Sequence, residues 1–228
     1  MKLAALLAVL SLTGCSLLPG TKAVVGPQPS ADPSVSAELT GFYSQSVSWD
    51  SCGTEQTFCA DVVVPADWSN PGGETLKIAV AYHQASIAKP LGSVIFNPGG
   101  PGSSGVDWVI NSIDQLGTKN LRKNFNIVGF DPRGVGQSEP RVQCLNSKDT
   151  DTFLYGDAGF ALGSKEDIID TRLRVKKFTE ACVQNTGENL GLIDTVSAAK
   201  DLDVIRAVFG DEKINYLGFS YGTLLGAT

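Results

Sequence analysis

The chain has 228 residues, of which 42% are hydrophobic and 18% charged, with 25 Gly and 11 Pro. That is enough apolar sequence to bury a core, and it excludes a disordered chain, a coiled coil and a collagen-like repeat. A net charge of −6 and an isoelectric point near 4.8 exclude the basic stripe of a nucleic-acid binder.

Residues 1–14 read as an export leader. Lys2 supplies the positive end, and an apolar run from Leu3 to Leu12 follows. That run is shorter than the roughly 20 residues a membrane span needs. It ends in Leu12-Thr13-Gly14-Cys15, which resembles the bacterial lipobox, where the leader is cut before a lipid-bearing Cys. Thr13 and Gly14 are small enough for an extended peptidase groove, and the Cys15 thiol can take a diacylglycerol. Acyl chains contribute about 0.8 kcal/mol per buried methylene. The expected location is therefore the extracytoplasmic face of a cell membrane, anchored through Cys15. Residues 15–39 hold Pro19, Pro27, Pro29 and Pro33 among Ser, Ala and Gly, with no apolar period. They read as a flexible tether. Residues 40–228 form the folded part.

Without Cys15, four cysteines remain: Cys52, Cys59, Cys144 and Cys182. An even count in an exported chain points to two bridges. Of the three pairings, Cys52 with Cys59, which closes a short loop, and Cys144 with Cys182, which closes a longer one, are favoured; the alternative is buried free thiols. No Cys-x-x-Cys pair exists and His83, the only His, sits in an apolar run. No metal site and no cofactor are expected.

Residues 59–64 and 76–82 are rich in β-formers and predict a lead-in antiparallel pair. Short apolar runs at 93–96, 126–130 and 214–217, each closed by turn residues, suit parallel strands covered on both faces. A helix is predicted from near Ser104 through Trp108. Another spans 165–184, with Ser164 as N-cap and Ile168, Val175, Phe178 and Cys182 on its apolar face. A third spans 196–209, where Ala198, Leu202, Ile205 and Phe209 share a face and Gly210 is the stop. Residues 146–163 read as a variable loop. Strands alternating with helices predict an α/β fold, a mostly parallel sheet with helices on both faces. Ligands in such sheets sit at the carboxyl ends of the strands.

Three loops follow three of those strands. Gly218-Phe219-Ser220-Tyr221-Gly222 comes after 214–217, with a helix expected from Thr223. This is the strand–turn–helix setting of a nucleophile elbow. The flanking positions must be small because the turn is sharp. The turn lifts the Ser220 hydroxyl above the sheet, and the next helix N-terminus favours developing negative charge there. The alternative is a Gly-punctuated turn with a solvated Ser. The second loop, Asn97-Pro98-Gly99-Gly100-Pro101-Gly102-Ser103-Ser104-Gly105, reads as an oxyanion hole. Gly100 is the best donor and the Tyr221 N–H the second. A phosphate cradle is the rival reading, but no Gly-Lys-Ser/Thr follows, so the loop is not a P-loop, and it is not read as a G-x-G-x-x-G turn either. The third loop, Asp131 to Ser138, reads as a scaffold in which Asp131 and Arg133 pair with each other or with backbone.

Taken with Ala199-Lys200-Asp201-Leu202-Asp203, these three loops resemble the tripeptidyl-aminopeptidase-like branch of the α/β-hydrolases, relatives of the prolyl iminopeptidases, from about residue 49 to 228. Prolyl iminopeptidases usually carry His at the head of the Gly-Gly-Pro-Gly motif, whereas Asn97 stands here. The resemblance implies a serine peptidase that releases short peptides from free N-termini through an acyl-enzyme on Ser220. Its partners would be peptide substrates and, through the lipid, a membrane.

In that fold the base and its orienting acid follow the nucleophile in the order Ser, Asp, His. No Asp and no His follows Ser220 up to Thr228, and His83 precedes it. The sequence therefore resembles the front part of the fold, truncated after the elbow, with a C-terminal segment missing. Alone it is expected to aggregate or to need a partner segment, and to show negligible turnover. The alternatives are a serine esterase or lipase on the same fold, and a non-catalytic surface lipoprotein remnant.

Overall fold

The computed structural model describes residues 26–30 and 34–228. The expected leader and Cys15 lie outside the described residues. Where the expected tether is described, it is docked rather than free. The Ser30 N–H donates to the Ala207 carbonyl at 3.2 Å, and Val35 and Leu39 pack against the core.

In chain order the elements are α1 (Thr40–Tyr43), β1 (Asp50–Ser51), β2 (Thr57–Pro65), β3 (Thr75–His83), β4 (Ser93–Asn97), α2 (Gly105–Ser112), α3 (Lys119–Asn124), β5 (Asn126–Phe130), α4 (Ser147–Tyr155), α5 (Lys165–Thr186), α6 (Thr195–Val208), β6 (Asn215–Gly218) and α7 (Tyr221–Ala227). The six described strands form one sheet in the order β1-β2-β3-β5-β4-β6. β1, β2, β3 and β5 pair antiparallel, and β4 pairs parallel with both β5 and β6. The sheet is therefore mixed, and its parallel part is where the three loops emerge. Among the described residues β6 is an edge strand.

The apolar strands are continuous because both faces are covered. Alternate residues go to opposite faces. Ile78, Val80 and Tyr82 of β3, Ile95 of β4, and Val128 and Phe130 of β5 join α6 in one core. Ala79, Ala81, Val94, Phe96 and Ile127 join Val106 and Val109 of α2 in the other. Trp49, Tyr82 and Phe209 close the far end of the first core with ring centroids 4.8 to 5.4 Å apart.

The helix starts follow capping chemistry. The hydroxyls of Ser104 and Ser164 accept the N–H groups of Asp107 and Asp167, and the Asp194 carboxylate accepts that of Ser197. Both expected disulfides are formed, Cys52–Cys59 and Cys144–Cys182.

Two local expectations fail. The stretch 146–163 is not simply a loop: it contains α4, opened by Asn146, whose side chain accepts the Asp149 N–H. Most of its residues are poor helix formers; the cap and the Phe153 ring stacked on Phe178 hold it, with no apolar stripe, so a search for amphipathic periods passes over it. On α5 only Cys182 is buried, and Ile168 and Val175 are 45% and 49% exposed. The face expected to enter the core stays outside, tied by the second disulfide and by Phe178 stacked on Phe153 with centroids 4.4 Å apart.

Candidate active site at the nucleophile elbow

Ser220 follows β6 directly and is exposed. Its backbone sits at φ 50°, ψ −125°, a region that L-residues avoid and that costs on the order of 1–3 kcal/mol. The helix α7 begins at Tyr221, two residues earlier than the sequence suggests. Both motif glycines are sterically required. A Cβ on Gly222 would lie 2.6 Å from the Asn97 carbonyl oxygen, and one on Gly218 would lie 2.5 Å from that of Gly222. The bend is held by the Phe219 N–H on Asn97 O at 3.1 Å and the Gly222 N–H on Phe219 O at 2.7 Å. From below, the Tyr216 hydroxyl donates to Gly222 O at 2.9 Å. Burial first, then the neighbouring Tyr221, pushes the Tyr216 phenol well up, so it stays a donor.

The Gly-rich loop after β4 lies against this bend. A Cβ on Gly99, which sits at φ 89°, would collide with Phe219 O and come within 3.0 Å of Ser220 Cβ and 3.1 Å of Tyr221 N. The structure therefore brings Ser220, Tyr221 and the Gly99–Gly100 turn together. The Gly99 N–H is already used, donating to Asn97 Oδ1 at 2.9 Å. The N–H groups of Gly100 and Tyr221 have no acceptor among the described residues.

Gly100, Gly102 and Gly105 also match the G-x-G-x-x-G spacing of a dinucleotide-binding turn. The helix N-terminus that would hold a pyrophosphate is filled from within, however. Asp131 Oδ1 accepts from Ser104 Oγ at 2.6 Å and from the Val106 N–H at 3.2 Å. A fixed carboxylate there repels an anionic ligand. Gly105 serves packing instead: a Cβ would lie 2.5 Å from Phe130 O.

The third loop behaves as a scaffold, with Asp131 on loop backbone as one of the expected arrangements and Arg133 on partners that were not expected. Asp131 and Arg133 do not pair with each other. Asp131 binds the loop backbone, its Oδ2 taking the Gln137 N–H at 3.0 Å. Arg133 makes a bidentate ion pair with Asp201 of α6, with both contacts at 2.7 Å. Its other N–H groups go to the carbonyls of Pro65, Ala66 and Leu192, so all five donors are engaged. Burial pushes the Asp201 carboxyl up, while Arg133 and then the Trp68 indole at 3.0 Å pull the other way. The motif Ala199-Lys200-Asp201-Leu202-Asp203 thus contains the counter-ion of the loop after β5. Sequence spacing cannot reveal that pairing, because 68 residues separate the partners.

His83 ends β3 at the wrong end of the sheet. It sits opposite Ile127, Ile127 opposite Val94, and Val94 opposite Asn215. That is the entry of β6, whereas Ser220 lies beyond its exit. His83 meets the Thr57 hydroxyl at 3.3 Å. Burial, then the Arg122 charge, holds its imidazole below the ordinary value, with Asp114 opposing.

A cavity of about 390 Å³ opens beside the elbow, between the oxyanion-type loop and the start of α6. A larger groove, about 600 Å³, runs along β2 and β3 and contains none of the residues of the elbow or the Gly-rich loop. Among the described residues no group of three His, Cys, Asp or Glu is placed to hold a metal ion. Nor is any helix long and apolar enough to cross a membrane.

Comparisons with known proteins agree with this geometry. Serine protease Hip1 of Mycobacterium tuberculosis is 36% identical over 192 residues, covering 80% of this chain and 36% of the relative. A tripeptidyl aminopeptidase of Streptomyces lividans is 35% identical over 189 residues, covering 79% of this chain and 35% of the relative. A carboxylesterase B of M. tuberculosis is 35% identical over 168 residues, covering 70% and 32%. The chain thus spans about a third of the length of these curated relatives. The profile of the α/β hydrolase fold matches residues 92–228, more than half of the chain, and the chain belongs to that family.

Proposed function

We propose that the chain is the nucleophile-bearing part of an exported serine peptidase that releases short peptides from free N-termini. The observation that carries this reading is Ser220, held at a positive φ between Gly218 and Gly222 and pressed against the Gly99–Gly100 turn. In the proposed reaction Ser220 Oγ attacks the scissile carbonyl carbon and the carbonyl oxygen becomes anionic. The free N–H groups of Gly100 and Tyr221 receive that charge. Collapse expels the amine and leaves an acyl-enzyme, which water then cleaves. Losing one such donor typically costs about 10²–10³ in rate. The names of two relatives, a serine protease and a tripeptidyl aminopeptidase, support amide substrates.

A hydroxyl at neutral pH needs a base to take its proton and an acid to orient that base. The sole His is at the opposite end of the sheet from Ser220. The proposal therefore assigns base and acid to a further segment beyond residues 1–228. It also places the protein outside the cytoplasm, held to a membrane by lipid on Cys15. Incorporation of a palmitate analogue that is lost in Cys15→Ser tests the anchor.

A second reading, an esterase, is favoured by the carboxylesterase relative. The elbow and the oxyanion-type turn serve both chemistries. A fluorophosphonate probe on the native protein, with Ser220→Ala as control, tests the nucleophile. Labelling that persists in Ser220→Ala would defeat both readings. Comparing tripeptide amides with acyl esters decides between them.

A further inference from the structure

The cavity beside the elbow is lined by Asn97, Gly99, Ile193, Asp194, Thr195 and Tyr221, among others. Asn97 is 1% exposed. Its Oδ1 accepts the Gly99 N–H, which fixes which end of the amide is which. No hydrogen bond from its Nδ2 is found among the described residues, and that nitrogen is not sealed from solvent. An amide with two unused donors at a cavity wall can give them to a ligand there.

The same cavity also carries charged side chains. Arg133 also borders the cavity, but Asp201 neutralises it and backbone carbonyls take its remaining donors. Asp194 is exposed and forms no ion pair among the described residues, although it feels the Arg133 charge. Its oxygens accept from the Ser197 N–H at 2.9 Å and the Ser197 hydroxyl at 2.6 Å, and a carboxylate has about four acceptor positions. Burial alone would raise its carboxyl, but the bonds from Ser197, with the Val196 backbone and the Arg133 charge, outweigh that and hold it below the ordinary value, so it is ionised at neutral pH. The hydroxyls of Thr195 and Tyr221, 2.9 Å apart, join α6 to the elbow.

We infer that this cavity seats the N-terminal end of a peptide, with Asn97 Nδ2 donating to a backbone carbonyl oxygen and the Asp194 carboxylate receiving the free α-ammonium. The inference rests on the peptidase reading and deepens it: the free amine is recognised by a charge that lines the same cavity as an amide donor, beside Tyr221 of the elbow. The amide donor is blind to the N-terminus, whereas the carboxylate reads it, so the two residues have separable effects.

The test is calorimetric binding to the native protein carrying Ser220→Ala, which prevents turnover. The probes are trialanine amide and its N-acetyl counterpart. The free amine is expected to bind about tenfold or more tighter than the acetylated peptide. Asp194→Asn keeps an N-cap oxygen for Ser197 and should abolish that preference. Asn97→Asp keeps the acceptor for Gly99, removes the donors and should weaken both peptides severalfold. Thermal melts confirm that each variant is folded, and a variant that does not fold is replaced by Asp194→Ser or Asn97→Ser. Equal binding of the two peptides, a preference that survives Asp194→Asn, or no binding of either would overturn the inference. Ser220-dependent amide hydrolysis that ignores acetylation would overturn it while leaving the peptidase reading intact. Ester turnover without amide turnover would remove that reading instead.

Discussion

Helices α5 and α6 lie either side of a short linker and have opposite fates. α5 runs 22 residues with only Cys182 buried, while α6 runs 14 residues and buries eight, including Asp201 and Arg206. Length does not decide which helix matters. α6 fills the face of the sheet left by Ile78, Val80, Ile95 and Val128, and it carries the counter-ion that organises the loop after β5. α5 is joined to the body by a disulfide and a ring stack. A helix at the centre of a fold supports the site, whereas one at its margin can vary without disturbing it.

The largest expected effect tests the central half of that comparison. Arg133→Met or Asp201→Leu alone should cost about 3–5 kcal/mol in urea unfolding, because each leaves its partner buried and uncompensated. The double variant should recover much of that loss. A single variant that loses less than about 1 kcal/mol would show that the pair does not organise this region. Next, Gly99→Ala forces a Cβ onto Phe219 O at a positive φ and should cost about 1–3 kcal/mol. It should also suppress probe labelling of Ser220, and full labelling in that variant would break the link between loop and elbow.

Opening the Cys144–Cys182 bridge with paired Ser substitutions should speed amide exchange across α5 and leave α6 protected. Equal acceleration in both helices would mean that the two are one cooperative unit. The smallest effect is a pH dependence. Burial lowers the folded-state pKa of His83 relative to its ordinary value, so the unfolded chain takes up the proton first. The stabilising contribution is therefore complete above the ordinary His value of about 6.5, and it is lost as pH falls through that value, levelling off below the folded one. Melting temperatures at pH 8 and pH 5.5 should differ by less in His83→Asn than in the parent chain.

Much of the site was legible in local sequence because its constraints are local. A glycine two residues to either side of Ser220, after a short apolar strand, can be read from sterics alone. So can the caps at Ser104 and Ser164. Asn97 stood out only as a departure from a pattern. Its work as a bracket, carbonyl to Phe219 and side chain to Gly99, needs two loops brought together. α4 escaped because its sequence has a cap but no stripe. The exposed face of α5 misled because apolar spacing shows what a helix could bury, not whether the sheet has room for it.

By itself the sequence determined the strands, the sharp turn at Ser220, the even number of cysteines left for bridges and the alternation that covers both faces of the sheet. Each follows from spacing over a few residues or from simple counting. Tertiary structure alone decided that Arg133 pairs with Asp201, that His83 lies at the far end from Ser220, and that Asn97 and Asp194 face one cavity. Those relations join residues distant in the chain, and the register of the parallel strands sets them.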